Sequence, residues 1–315
     1  MQLAMAFQRV VERRLPDGTV AKVYPFHVCL EGTESVLLCR DDEDYDHLEK
    51  SIYLGALDAN ALVVSEIVLS THGLCAVLAV NWEGTEAVGE FVKKRHSQFL
   101  AKKYEQRQVM ARTRISVQYL DTDEFVRNAL AYMPRNVVDL GFSFKDYPWS
   151  SFRGMFADSD RPPGFRSVSS LTHREKEALF RTHKDLSGVT WLVDEKGRMV
   201  PASACDCAYA ESAFGNDQAY FSRMIAELNS DQMYQKLVLN NHVWQRDTKF
   251  KVSVTDVAER WFKKEILALT PDEQAKLIIY LFRSYYTSVA QLARCLQLRP
   301  EDIRRVLWEH DLRPR

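Results

Sequence analysis

The sequence lacks the features that mark several specialised classes of protein. It has no run of about 18 apolar residues, the length that a membrane-spanning helix needs. Its first residues have neither a basic start nor a long apolar stretch, so we expect no secretory signal. The six cysteines show no disulfide-framework spacing, and the close pair Cys205 and Cys207 has no second pair to complete a zinc site. We therefore expect a reduced, cytoplasmic protein without a membrane partner.

The chain also lacks a large charge of either sign. Its formal net charge is -1 over 315 residues, so any affinity for nucleic acid must come from local clusters of basic residues. Hydrophobic residues make up 46% and charged residues 27%, which is ordinary for a globular protein. The length allows two or three domains, each with its own core.

Hydrophobic patterning in the first half predicts a strand–helix–strand–strand–helix–strand–helix order. The predicted ranges are, in that order, 25–30, 40–57, 61–69, 75–80, 85–106, 113–119 and 121–133. Residues 70–73 would form a hairpin turn, and Asp121 or Thr122 would cap the last helix. This order predicts an α+β fold with an antiparallel sheet.

The second half predicts a connector followed by a helical domain. Residues 157–170 are polar and rich in proline and serine, which is typical of a linker, and residues 194–197 carry a hairpin turn signal. Thr270 and Pro271 mark a helix start near the C-terminal end. We predict domains at 1–156, 157–250 and 251–315; residues 200–241 suggest no chemistry.

Residues 287–296 and 300–307, joined by 297–299, are similar to a helix-turn-helix. Such a motif would place Arg304 and Arg305 on a recognition helix that contacts DNA. An ordinary helical hairpin is the alternative. If the motif is a helix-turn-helix, we expect these polar side chains to be exposed: Gln291, Arg299, Glu301, Arg304 and Arg305.

One stretch carries a more specific pattern. Tyr132 is followed four residues later by Asn136, and then by the run Asp-Tyr-Pro-Trp-Ser-Ser at 146–151. A lone histidine, His72, lies upstream. Together these residues resemble the single-tyrosine HUH transposases, especially the REP-associated tyrosine transposases, over roughly the first half of the chain.

The resemblance implies a ferredoxin-like HUH domain with its helices on one face of the sheet. Tyr132 would attack a phosphodiester of single-stranded or hairpin DNA and form a 5'-phosphotyrosine link, as in DNA transposition. His72 and Asn136 would hold Mg²⁺ or Mn²⁺. Alternatively, Tyr132 is a half-buried aromatic residue and His72 a turn residue.

Three departures from the family pattern bear on catalysis. Leu74 stands where the second histidine of the HUH pair belongs, and an aliphatic side chain cannot bind a cation. Pro134 precedes Asn136, whereas the family's proline follows the asparagine, so the helix is expected to kink or to end at Met133. The glycine-leucine-tryptophan-glutamine run that usually follows the preceding helix is replaced by VMARTRISV.

A basic cluster precedes the tyrosine helix, with eight basic residues against the single acid Glu105. Such a cluster favours phosphate contacts without sequence specificity. Phe91, Phe99 and Tyr104 lie among these residues and would either stack on bases or pack into the core. The basic residues are Lys93, Lys94, Arg95, Lys102, Lys103, Arg107, Arg112 and Arg114.

The sequence thus leaves three functions open. The first is a DNA transposase of the HUH type, and the second is a catalytically inactive descendant that binds or regulates DNA. The third is an interaction protein that has lost DNA binding. In each case we expect a monomer or a homodimer.

Overall fold

The computed structural model describes residues 7–32, 37–106, 110–111, 113–156, 164–227, 247–284, 287–310 and 312. The chain divides into two compact units, Met1–Met233 and Tyr234–Arg315. The first is mixed α and β and the second is helical, so the predicted α+β class is confirmed. Across the described ranges, no helix is both long and apolar enough to cross a membrane.

The first unit is built on an antiparallel sheet of five strands. Its central strand is β2, which pairs with β1 through its first residues and is flanked by β4 and β5 farther along. β3 pairs with the far side of β4. The strands are β1 (Val11–Arg14), β2 (Val20–Glu31), β3 (Leu62–Val68), β4 (His72–Ala79) and β5 (Arg114–Tyr119).

Three long helices alternate with these strands in the predicted order. They are α1 (Asp42–Asp58), α2 (Trp82–Lys103) and α3 (Asp123–Asp139). The N-cap of α3 is Thr122, one of the two predicted candidates, whose side chain accepts from the Phe125 N–H. From β2 to β5 the succession is β–α–β–β–α–β, and the strands lie in the order β5, β2, β4, β3.

The helices cover both faces of the sheet, which differs from the predicted one-face arrangement. His27 and Val28 are neighbours in β2, so their side chains point to opposite faces. α2 lies on the Val28 face, because a Cβ added at Gly89 would be 3.5 Å from a Val28 methyl. α3 lies on the other face, where the Tyr132 ring packs near His27. The turn after β5 carries the chain around the sheet.

α3 continues through Pro134 to Asp139, and therefore does not end at Met133. Proline has no N–H, so the carbonyl of Leu130 loses its usual helical donor. The turn that follows is reinforced because the Asn136 side chain donates to the Tyr132 carbonyl at 2.8 Å. Tyr132 and Asn136 consequently remain one turn apart on a single helix.

Residues 164–227 belong to the first unit, although the sequence predicted a connector over 157–250. Val168, Phe180 and Trp191 are buried in the same core cluster as the α1 and sheet side chains. The hairpin turn predicted at 194–197 is confirmed: the Gly197 N–H donates to the Asp194 carbonyl at 2.9 Å, and Gly197 has φ 76°. Residues 157–163, from the predicted linker, and 228–246 lie outside the described residues.

Short elements fill this part of the first unit. They are β6 (Arg166–Ser167), β7 (Leu192–Val193), α4 (His173–Phe180), α5 (Pro201–Ala204), α6 (Cys207–Ser212) and α7 (Gln218–Glu227). β6 pairs with β7, and 3-10 turns occur at Ser151–Gly154 and Val168–Ser170. β6, β7 and α5 are too short to generate a helical or strand-like hydrophobic period.

The second unit contains α8 (Asp247–Phe262), α9 (Pro271–Ser284), α10 (Val289–Leu296) and α11 (Pro300–Glu309) around its own apolar core. The two last helices and the turn between them were predicted, and Gln297 ends α10 with φ 56°. The prediction that Gln291 is exposed is wrong. Gln291 is 4% exposed and donates to Asp247 Oδ1 at 3.0 Å.

Candidate functional site

Tyr132 lies in the middle of α3, on the side that faces the sheet. It is 1% exposed, and its ring centroid is 6.4 Å from that of His27 in β2. His27 is itself fully buried, and neither of its ring nitrogens has a hydrogen-bond partner among the described residues. Burial lowers the pKa of His27 to about 4, so the imidazole is neutral at pH 7. The candidate nucleophile is therefore enclosed by the protein interior.

The Asn136 carboxamide is turned towards its own helix. Its Nδ2 donates to the Tyr132 carbonyl at 2.8 Å, and it lies 3.5 Å from the Met133 carbonyl. This local bond fixes the orientation of the carboxamide. The sequence predicted a shared helix face for Tyr132 and Asn136, but the amide nitrogen is committed to the backbone.

His72 is the first residue of β4, not a turn residue. It pairs across the strands with Glu31, and the His72 Nε2 to Glu31 Oε1 distance is 3.9 Å. Its Nδ1 lies 2.7 Å from Thr71 Oγ1. Ala76, which lies opposite His27, is four residues farther along β4, a separation of roughly 13 Å at strand spacing. His72 and His27 share a sheet face but lie far apart along it.

The donor set implied for a metal ion is incomplete at this place. Leu74, in the position of the second histidine, is fully buried. Within the described ranges, no three or more His, Cys, Asp or Glu side chains are grouped so that they could hold a metal ion. One imidazole nitrogen of His72 and one amide oxygen of Asn136 are therefore too few protein ligands to fit Mg²⁺ or Mn²⁺, which prefer a fuller set of oxygen ligands.

The run at 146–151 closes the outer edge of β3. The Tyr147 hydroxyl donates to the Val68 carbonyl at 2.8 Å, and the Val68 N–H donates to the Trp149 carbonyl at 3.0 Å. Ser151 Oγ accepts from the Glu66 N–H at 2.8 Å and donates to the Glu66 carbonyl at 3.1 Å. An edge strand with unpaired backbone groups invites aggregation, so this closure stabilises the sheet.

The basic cluster is divided between exposed and internally engaged side chains. Arg95 donates to Ser51 Oγ at 3.1 Å and to the carbonyls of Phe180 and Arg181. Lys103 Nζ lies within 3.0 Å of carboxylate oxygens from three acids of the α1 start. Lys94, Lys102 and Arg114 are exposed and Lys93 is half-buried, whereas Arg107 and Arg112 lie outside the described residues.

The aromatic residues among these basic side chains belong mainly to the core. Phe99 is buried and stacks on His47, with ring centroids 4.0 Å apart. Phe91 packs partly against the same cluster, and Tyr104 donates to Asp44 Oδ2 at 2.7 Å. This surface therefore offers a nucleic acid exposed cations rather than aromatic rings.

In the second unit, Glu301, Arg304 and Arg305 are exposed on α11, and Arg299, which caps the start of this helix, is also exposed. Arg305 Nη2 lies 3.1 Å from Asp302 Oδ1, and Arg299 Nε lies 3.0 Å from the other oxygen of that carboxylate. An exposed ion pair of this kind contributes little free energy, so Arg299 and Arg305 remain accessible to a phosphate or a base edge.

Sequence reasoning missed a pair of buried carboxyl groups, Glu49 in α1 and Glu66 in β3. Burial raises the pKa of Glu66 to about 7, and the Tyr53 hydroxyl donates to Glu66 Oε1 at 3.2 Å. A signal was present, since Glu66 is a charged residue inside the apolar run that predicted β3. His27 gives the same signal in β2.

Comparison with protein-family models, with curated proteins and with solved structures found no match.

Proposed function

We propose that the chain is a DNA-binding protein, descended from the single-tyrosine HUH transposases, that binds single-stranded or hairpin DNA without cleaving it. The burial of Tyr132 carries this proposal. A phenol that attacks a phosphodiester must reach the phosphorus atom in line. The Tyr132 ring instead packs near a buried, neutral imidazole, beneath a helix.

The exposed cations support DNA as the partner. Phosphate neutralisation by lysine and arginine supplies affinity that is independent of sequence and falls with salt. In the first unit the accessible candidates are Lys93, Lys94, Lys102 and Arg114. In the second unit they are Arg304 and Arg305, on the second helix of the pair that resembles a helix-turn-helix.

The topology supports the proposed ancestry. A β–α–β–β–α–β succession with strands in the order β5, β2, β4, β3 is what a ferredoxin-like HUH core requires. Fold does not determine activity, however, and the chemistry of the site has to be argued separately. We further propose that the protein acts in the cytoplasm, as a monomer or a homodimer.

An active transposase that uses Mg²⁺ or Mn²⁺ is the second candidate. One observation favours it: the His72 side chain points to the face of the sheet that α3 covers, and the Tyr132 side chain of α3 packs on that same face. Catalysis would require α3 to shift, so that the phenol leaves the interior and an additional ligand replaces the missing histidine. The non-cleaving function requires no such movement.

Binding is tested by fluorescence anisotropy with a labelled hairpin-ended single strand at about 50 to 200 mM salt. We expect affinity to fall steeply over this range. Replacing Lys93 and Lys94 together with glutamine should reduce the slope of log affinity against log salt by about 1 to 2. Lys196→Gln, an exposed lysine in the 194–197 turn, is the matched control. Absence of binding at low salt would contradict the proposal and would favour an interaction protein that has lost DNA binding.

A further inference from the structure

A pocket of about 380 Å³ lies beside α2, between α1 and the residues that follow α4. Its wall includes three cations, Arg95, Lys102 and Arg181, and one carboxylate, Glu177. His47 and the Phe99 ring also line it. The whole pocket lies within the first unit, so its geometry does not depend on the second.

The hydrogen-bond order around His47 fixes which of its nitrogens carries the proton. His96 Nε2 lies 2.7 Å from the Leu38 carbonyl, which only accepts, so this nitrogen must donate. Burial lowers the pKa of His96 to about 4, so His96 is neutral and its Nδ1 is an acceptor. His47 Nδ1 lies 3.0 Å from that acceptor and must therefore be the donor.

His47 Nε2 is consequently left as an acceptor, on a residue that lines the pocket. Burial is the first cause that lowers the pKa of His47, to about 2, and the positive charges of Arg95, Arg181 and Lys50 act in the same direction. His47 therefore stays neutral near pH 7. A ligand that satisfies this nitrogen has to bring its own hydrogen-bond donor.

The cations around this acceptor retain capacity for an anion. The Arg95 guanidinium has five N–H groups, of which three donate to Ser51, Phe180 and Arg181. The Arg181 guanidinium pairs with Glu43 and lies over the Phe99 ring, 5.0 Å from its centroid. Lys102 is exposed at the rim. Three positive groups thus line the same pocket as this neutral acceptor, together with Glu177, Gln98 and His183.

We propose that this pocket binds a phosphate group that carries a hydrogen, such as inorganic phosphate near neutral pH. Its P–OH donates to His47 Nε2, while its other oxygens accept from Arg95, Lys102 and Arg181. Charge-assisted bonds of this kind are the strong ones in protein recognition of phosphate. The site does not rest on the proposed DNA binding, because a backbone phosphodiester has no P–OH to donate.

The P–OH hydrogen also predicts a preference for phosphate over sulfate, which a merely basic patch would not show. Sulfate matches phosphate in shape, but near neutral pH it has no hydrogen to donate. Bound sulfate would leave an oxygen facing the lone pair of His47 Nε2, with neither group satisfied. A buried acceptor without a donor is costly, so the pocket should prefer phosphate.

Isothermal titration of the full-length protein with inorganic phosphate, and separately with sulfate at matched ionic strength, tests the site. We expect phosphate to bind roughly tenfold or more tightly than sulfate, which corresponds to about 1.4 kcal/mol. Lys102→Gln should weaken phosphate by roughly tenfold, as expected for the loss of one charge-assisted bond. Arg174→Gln, an exposed arginine of α4 outside the pocket, is the matched control and should change neither titration.

His47→Phe keeps a ring against Phe99 and removes the acceptor. We expect it to abolish the preference for phosphate over sulfate, whereas Lys102→Gln weakens both anions and keeps the preference. In the wild-type protein, phosphate but not sulfate should shift the ¹⁵N resonance of His47 Nε2, a readout that does not depend on any variant folding.

Equal binding of the two anions by the wild-type protein would overturn the proposal, as would a phosphate affinity that Arg174→Gln and Lys102→Gln reduce alike. Absence of phosphate binding at millimolar concentration would also overturn it. A parallel titration with a 5'-phosphorylated dinucleotide, at about pH 6 where roughly half of a phosphate monoester keeps its P–OH, distinguishes the source of the phosphate group. Tighter binding than inorganic phosphate assigns the pocket to a phosphorylated nucleic-acid end, and weaker binding assigns it to free phosphate.

Discussion

The ring of Tyr132 packs near that of His27, with 6.4 Å between their centroids and 69° between their planes. Both side chains are buried between α3 and the sheet. This edge-to-face arrangement is typical of aromatic rings that stabilise a core. The residue that the sequence marks as a nucleophile therefore contributes to the packing of the first unit.

Tyr132→Ala is expected to lower the free energy of unfolding by about 3–5 kcal/mol, because it leaves a cavity between α3 and the sheet. Urea denaturation followed by far-ultraviolet circular dichroism measures the change. Phe142→Ala is the control, since Phe142 follows α3 and is 60% exposed. It should change stability by less than about 0.5 kcal/mol. A similar, small effect for both variants would contradict the buried position of Tyr132.

Ser151→Ala is expected to cost about 1–3 kcal/mol of stability, because it removes the partner of the buried Glu66 N–H at the edge of β3. Ser143→Ala, at an exposed position in the loop after α3, provides the control. Thermal denaturation of both variants is the measurement. If Ser151→Ala and Ser143→Ala have the same melting temperature, the run at 146–151 does not close the edge of the sheet through Ser151.

His27→Leu should make the protein more resistant to acid. The folded-state pKa of His27 is lowered to about 4, below its unfolded value, so its contribution to stability is complete above pH 6.5 and is lost as pH falls. The variant has no imidazole at this position, so it does not lose this stability as pH falls. Its stability relative to wild type should increase by about 2 kcal/mol between pH 7 and pH 5.

Urea denaturation of wild type and variant at both pH values gives this difference directly. His173→Leu is the control, because the His173 side chain is 77% exposed. It should change the free energy of unfolding by less than about 0.5 kcal/mol. A pH-independent difference for His27→Leu would mean that His27 is not buried in its neutral form.

Glu66→Gln should have the opposite pH dependence. The folded-state pKa of Glu66 is raised to about 7 by burial, so its contribution to stability is complete below its unfolded pKa and is lost as pH rises to 7. Glutamine keeps an acceptor for the Tyr53 hydroxyl and does not ionise. Relative to wild type, the variant should gain on the order of 2 kcal/mol between pH 5 and pH 8.

The same denaturation series measures this gain, with Glu86→Gln on the exposed side of α2 as the control. A variant that loses stability with rising pH as fast as wild type would show that Glu66 does not titrate in this window. The neighbouring Glu49, whose pKa burial also raises, would then be responsible for any remaining dependence.

Strong hydrophobic periods made the main elements of the first unit predictable. The apolar runs around His27 and Glu66 marked β2 and β3, and the patterns of α1, α2 and α3 gave their order. β1 escaped prediction because Val11–Arg14 is short and mostly polar. Most of residues 164–204 escaped because their apolar side chains, among them Val168 and Trp191, are spaced by turns rather than by a regular period.

Candidate site residues were harder to predict, because spacing along a helix does not determine what lies opposite. Tyr132 and Asn136 do share a turn of α3, as their spacing indicated, but the amide bonds back to its own helix. Arg95 and Lys103 counted as part of a basic cluster, yet tertiary contacts with α1 and with the residues after α4 engage both. Such contacts join segments distant in sequence, which local patterning does not reveal.

Leu74→His distinguishes two reasons for the absence of DNA cleavage: a missing metal ligand and a buried nucleophile. If only the second histidine were lacking, this change would restore cleavage of hairpin-ended single strands in the presence of Mn²⁺. Because Tyr132 remains buried, we expect the variant to stay inactive in a gel assay for nicked product. Nicked product would show a site in which only the second histidine is lacking.

The most direct measurement is incubation of the wild-type protein with a hairpin-ended single strand and Mn²⁺, followed by denaturing electrophoresis to detect a covalent protein–DNA adduct. The enclosed Tyr132 predicts salt-sensitive binding and no adduct. An adduct that forms with wild type and disappears in Tyr132→Phe would contradict the account.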